Sequence, residues 1–348
     1  MKNSISFILF LYLLGTNLLW SDSIPSLNKR QLKISDSSNF QFYIAGHLYG
    51  DSFNQTGLPI NTIFTLIDSL NVANNSFLVS LGDIFLNPEK DIESYSQLFF
   101  SKINSPIYNA VGNHDVMGSV YKKRYKKTYY DFTLNSCKFI FLDTECDDSN
   151  LSGEQLNFFN DRIKTCLADS RIKSIFIFSH RPIWSENNPA LQSIFKFNTR
   201  SSFKNNFEEK VLPLVSTLAQ SKNVYWFSGS MSSAPASFFY HYDSVSRLRY
   251  IQTAVRGTDH DGVLKVNVKG DKISFTTVSL TGRSVLPLES YNMEFYNSSQ
   301  ENSSYTFNYR LLPLYIKQTL FHPYFWYGFI LCLILSFCVY YFFIRFKK

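Results

Sequence analysis

The sequence predicts an α/β body that is exported across a membrane and tethered there by one C-terminal helix. Three observations carry that reading. Short apolar strands alternate with helix-period segments through the middle of the chain. Several of those strands finish on a polar residue able to ligate a metal or move a proton. Near the end, 21 residues run without a formal charge.

Composition bounds the possibilities. Of 348 residues, 45% are hydrophobic and 18% charged, which excludes a disordered polar chain. Aromatics reach 17%, enough apolar area for a sizeable core. The net charge is +7, but Lys2, Arg345, Lys347 and Lys348 supply four of the 34 basic groups and Asp22 one of the 27 acidic ones. Residues 24–320 therefore keep 30 basic against 26 acidic groups, an excess too small for a nucleic-acid binder.

The elements follow in order. Lys2, an apolar run over residues 5–20 and the small polar Ser21-Asp22-Ser23 have the layout of a secretory signal peptide, residues 1–23. Strands are expected at 40–46, 76–81 and 106–111, with helices at 60–70 and 92–103 between them. Two strands, 128–134 and 138–142, flank a turn at Asn135-Ser136. A helix opens near Ser152, with Gln155 three residues on. Strand 174–178, helix 207–220 with Pro213 inside it, and strand 224–227 come next. Strands at 250–255, 263–268 and 273–278 complete the body. Residues 284–320 read as a stalk or partly packed extension. A transmembrane helix is expected over 321–344, with Pro323 in its first turn, aromatic residues at both ends, and Arg345, Lys347 and Lys348 as a cytoplasmic tail. Three cysteines lie in the body, Cys137, Cys146 and Cys166, so at most one disulfide forms there.

The polar strand ends are the informative feature. His47 follows the first strand, Asp83 the second, Asn113 and His114 the third, and His180 a later one. The carboxyl ends of strands in α/β sheets converge on one crevice, so residues distant in sequence can form one cluster. One Asp, two His and an Asn carbonyl suit a divalent metal, and a further His beside Asp115 suits a general acid. Asp259-His260-Asp261-Gly262 reads either as a replacement ligand set or as an ordinary turn. The basic run 121–127 reads as a solvated loop or an anion-drawing patch, and Trp184 as core or as a substrate platform.

Gly82-Asp83, Gly112-Asn113-His114-Asp115 and Ser179-His180-Arg181-Pro182 together resemble the calcineurin-like metallophosphoesterases, over about residues 38–283. The resemblance implies a four-layer αββα sandwich of two mixed β-sheets. It implies one or two divalent ions, of manganese, iron or zinc, and hydrolysis of a phosphoester substrate. It assigns Asp83, Asn113 and His180 to the metal, with His47 joining them. His114 would protonate the leaving oxygen and Asp115 would orient it. Two departures from the family accompany these. Gly46-His47-Leu48-Tyr49-Gly50 stands where the family has Gly-Asp-x-His-Gly: His47 replaces the aspartate if the glycines set the register, Ala45 if the histidine does. Gly229-Ser230-Met231-Ser232 stands where it has Gly-His-x-His. Two readings follow. One is a membrane-anchored, exported phosphoesterase that meets membrane lipid through its C-terminal helix. The other is an inactive relative that binds a protein partner as an assembly module.

Overall fold

Period-two alternation along the strands decides the architecture. In the strand Ser174–Ser179, Phe176 and Phe178 point to one side and Ile175 and Ile177 to the other. In Asn223–Ser228, Tyr225 and Phe227 share the first side, Val224 and Trp226 the second. Both faces of these strands are apolar, so each sheet must be covered twice.

The computed structural model describes residues 26–346 apart from 34–37, 52–53, 73–75, 196–197, 200, 202–203, 232–233, 300–311, 313–315, 317–318 and 321–322. The expected signal peptide, Ser232 and most of 300–322 lie outside the described residues. The strands are β1 (Asn39–Ala45), β2 (Ser76–Ser80), β3 (Ile107–Asn109), β4 (Tyr130–Leu134), β5 (Cys137–Phe141), β6 (Ser174–Ser179), β7 (Asn223–Ser228), β8 (Phe238–Asp243), β9 (Leu248–Thr253), β10 (Gly262–Lys269) and β11 (Lys272–Ser279). One sheet has the order β11-β10-β1-β2-β3, the other β4-β5-β6-β7-β9-β8. Both are mixed: β1, β2 and β3 run parallel, as do β5, β6, β7 and β9, with antiparallel strands at the margins.

The sheets stack through a layer rich in phenylalanine. Phe42 lies parallel to Phe77 at 5.0 Å and meets Phe139 and Phe176 of the other sheet edge-on at 5.4 and 5.3 Å. Helices cover the outer faces. Leu66, Leu70, Ile92 and Tyr95 pack on Tyr43, Leu78 and Ile107 of the first sheet. Phe159, Ile163, Val215 and Leu218 pack on Ile140, Ile175 and Trp226 of the second. The result is the expected αββα sandwich of two mixed sheets.

Several elements differ from expectation. Strand β8 and the short helices Val120–Tyr125, Pro189–Phe195 and Met293–Ser298 were not anticipated. Residues 207–220 are not one helix: a π-turn, Phe207–Val211, leads into Leu212–Ala219, where Pro213 occupies the first turn and needs no intrahelical N–H. Residues 285–298 pack on the body. Tyr240 N donates to Tyr291 O at 2.9 Å, Tyr296 Oη to Phe238 O at 2.7 Å, and Leu288, Tyr291 and Tyr296 are buried. They cover the β8 edge, which would otherwise stay open to pairing. Cys137, Cys146 and Cys166 are free thiols.

The helix Pro323–Phe346 closes the chain. Its first 20 residues have a mean hydropathy of 1.9 and stand clear of the rest of the protein, so it is long and apolar enough to cross a membrane.

Candidate functional site

Parallel strands bring their carboxyl ends to one side, and the turns there are laced together. His47 N donates to Gly82 O at 3.0 Å, joining β1 to β2. Gly46 N donates to Thr253 O at 3.0 Å and Gly229 N to His180 O at 3.0 Å, so ends of both sheets meet. The approach is close enough to require glycine: a Cβ on Gly229 would lie 2.3 Å from Leu81 O, and one on Gly112 2.2 Å from Asp83 Oδ1. His47 and Asp83 themselves adopt left-handed backbone, φ 52° and 56°, which costs roughly 1–3 kcal/mol for each such residue.

At this seam His47, Asp83 and His180 form a buried group whose ligand atoms all lie within 4.8 Å of one another. Nε2 of His47 stands 3.6 Å from Asp83 Oδ2, and Nε2 of His180 3.5 Å from the same oxygen. These distances are too long for good hydrogen bonds, and neither Nε2 has a hydrogen-bond partner. His180 Nδ1 sits 2.8 Å from Leu81 O. A carbonyl accepts only, so Nδ1 carries a proton there and Nε2 is the ring atom that faces Asp83. Burial holds the His47 pKa at about 3, with Asp83 opposing that shift and His180, His114 and Arg181 adding to it. Burial alone would raise Asp83, but His180, His114 and His47 around it and the His114 N–H, 3.0 Å from Oδ1, hold it well below the usual carboxylate range. Two imidazole Nε2 atoms without hydrogen-bond partners, converging on one carboxylate oxygen, fit a divalent ion.

His114 lies beside this group, with Nδ1 3.0 Å from Leu86 O and its ring 5.1 Å from that of Tyr49. Tyr49 also faces His47 at 5.3 Å, so its ring lies between the two imidazoles.

Two expected residues, Asp115 and Asn113, stand differently from expectation. Asp115 does not orient the His114 ring. Its fully buried carboxylate accepts from the N–H groups of Asp83, Ile84, Phe85 and Gly112 and from Asn109 Nδ2, at 2.9–3.3 Å. It clamps the two turns that present Asp83 and His114. Burial and the nearby Asp83 push its pKa up to about 6, with the Gly112 N–H, Asn109 Nδ2 and the Phe85 N–H opposing that shift. Asn113 is half-buried, and its Oδ1 accepts from Arg181 Nη2 at 2.6 Å. Ser230 is buried beside His180, where its hydroxyl accepts from Asn198 Nδ2 at 3.4 Å. Asp261 ties its own loop by accepting from Arg256 N and Gly257 N, while Asp259 pairs with Arg283, so this stretch is a turn and no ligand set. Trp184 is core, stacked on Tyr250 at 4.6 Å.

The pair that sequence reasoning missed is Arg181 with Glu145. Arg181 Nε donates to Glu145 Oε1 at 2.8 Å, with Arg181 side chain 11% exposed and Glu145 fully covered. A buried guanidinium thus borders the group, held by Glu145, Asn113 and the Asn198 carbonyl. The available signal was the arginine immediately after His180.

The model of the calcineurin-like phosphoesterase family matches residues 57–247, more than half of the chain. Among solved structures the fold is similar to that of a purple acid phosphatase from yellow lupin seeds, at 13% identity and a TM-score of 0.50, over 73% of this chain and 54% of that one. The chain thus spans about half the length of the lupin protein. The fold is also similar to that of the anchor in the inner membrane complex of Plasmodium, at 14% identity and a TM-score of 0.50, over 77% of this chain and 98% of that one. No curated protein matches in sequence.

Proposed function

The chain belongs to the calcineurin-like phosphoesterase family, and from that premise we propose that it is a metal-dependent phosphoester hydrolase whose body is held outside the cytoplasm by its C-terminal helix. The observation that carries the reading is the trio His47, Asp83 and His180, with two Nε2 lone pairs unsatisfied around one carboxylate. These three residues would hold a manganese, iron or zinc ion, with Asn113 beside them. Such an ion supplies Lewis-acid polarisation of a phosphoryl oxygen. Leu81 O fixes the His180 tautomer, and Asp115 fixes the turns that carry Asp83 and His114. His114 would donate a proton at Nε2 to the leaving oxygen, while the Leu86 carbonyl holds Nδ1–H. Arg181 places a fixed positive charge beside the phosphoryl group. Arg345, Lys347 and Lys348 support a cytoplasmic tail.

The test is the metal content of the full chain, purified in detergent without chelator, together with turnover of an aryl phosphate and an aryl phosphodiester. About one equivalent of metal or more, lost in Asp83→Ala together with turnover, is expected. Turnover equal to wild type in both Asp83→Ala and His114→Ala would overturn the reading.

A second reading has its own support. Ser230 stands where the family carries a histidine, and its hydroxyl is tied to Asn198. The similar Plasmodium structure is that of an anchor. On this reading the sandwich is an inactive docking module for a protein partner at the membrane. It expects no bound metal and a melting temperature indifferent to chelator.

A further inference from the structure

A second charged feature lies at the opposite end of the second sheet. Lys173, Lys222, Arg247 and Arg249 line one cavity of about 430 Å³. Strands β6, β7 and β9 are parallel, with Ser174 paired to Asn223 and Tyr225 to Arg249, so the cavity sits at their amino ends. The metal trio sits beyond their carboxyl ends, about 17–20 Å away along six-residue strands. Four cations face one carboxylate among the described lining residues, that of Asp271. Ser136 Oγ donates to that carboxylate at 3.3 Å.

Two of the cations are fixed in place. The Arg249 guanidinium lies between the rings of Tyr225 and Tyr242, 5.3 and 5.1 Å from their centroids. Lys222 Nζ donates to the carbonyls of Asp169 and Ile172 at 2.9 and 2.6 Å, which leaves its third N–H over. Lys173 and Arg247 are exposed on the cavity's rim. Like charges gathered this way repel one another, and a small multivalent anion between them reverses the sign of that energy. A guanidinium fork and ammonium groups match the tetrahedral oxygens of a phosphate.

We propose that this cavity is a binding site for a phosphate group, carried by a soluble phosphorylated molecule or by a phosphorylated lipid headgroup. It is separate from the metal trio and owes nothing to the proposed hydrolysis. The preorganised pair Arg249 and Lys222 supplies the floor, and the exposed cations Lys173 and Arg247 supply the rim.

The experiment uses the full chain in detergent, stripped with chelator. Inorganic phosphate and inositol trisphosphate are titrated calorimetrically at low salt into wild type, K173Q/R247Q, D271N and D83N. Wild type and D83N should bind alike. K173Q/R247Q should bind about tenfold more weakly, and D271N more tightly, with ligand-free melting temperatures close to wild type. Binding as tight in K173Q/R247Q as in wild type, binding that vanishes in D83N, or no binding by wild type would each overturn the proposal. Micelles doped with phosphatidylinositol bisphosphate separate the two sources. Tighter binding there than to inositol trisphosphate assigns the site to a headgroup, and equal or weaker binding to a soluble ligand.

Discussion

Asp115 shows how much one residue holds at this site. Five donors converge on its carboxylate. Asparagine offers one oxygen and adds two N–H groups of its own, so Asp115→Asn leaves buried donors unsatisfied, at about 1–3 kcal/mol each. A loss of about 2–5 kcal/mol by urea unfolding is expected; under about 1 kcal/mol would mean the turns hold without it. Elsewhere, burial lowers the His241 pKa, with Asp243 opposing. The folded protein therefore resists that proton, and stability is full above the unfolded value of 6.5 and declines as pH falls below it. His241→Gln should lose less stability than wild type between about pH 7 and pH 5, measured by thermal melts across that range. Asp83, His114 and His180 were legible in the sequence because each follows a strand in a short, distinctive motif. Glu145 was not: its partner Arg181 lies 36 residues on, and nothing local marks an acid that only tertiary packing brings beside an arginine. The role of Asp115 was misread for the same reason, since its donors come largely from a turn about 30 residues away.

At the scale of elements, the turns matter more than the strands they end. Gly229→Ala would drive a Cβ to 2.3 Å from Leu81 O, which is backbone and has nowhere to go. The Leu81 carbonyl also sets the His180 tautomer. The substitution should therefore lower the melting temperature and weaken metal binding together. A loss of stability with metal affinity intact would show that the two are uncoupled. Most strands were readable from runs of β-branched and aromatic residues. Strand β8 was not, because its outer half, Tyr240–Asp243, is polar or half-exposed and lacks a clean alternation. For residues 285–298 the sequence left a stalk and a partly packed extension open. Leu288, Tyr291 and Tyr296 are spaced irregularly, and they are buried by the sheet they meet rather than by any period of their own.

For the whole molecule, the phenylalanine layer is the main store of stability. Phe42 is fully buried against rings of both sheets. Phe42→Ala should cost about 3–5 kcal/mol, read from the unfolding midpoint. The αββα arrangement came from the motif resemblance, since alternating strands and helices suit several α/β architectures equally well. Membrane topology belongs to this scale as well. If the body lies outside the cytoplasm, protease added to sealed cells should digest it and spare the helix Pro323–Phe346. A protected body would reverse the orientation.

The candidate ligands come from both sheets: His47 and Asp83 follow strands of one, His180 a strand of the other. An ion gripped by all three is a rivet through two plates. A half-folded chain, with one sheet assembled and its companion absent, lacks part of the grip and has almost no affinity. Ion capture would then report that both plates are docked, and free ion would tighten that docking by mass action. Newly made protein would become ion-competent only once both sheets are docked.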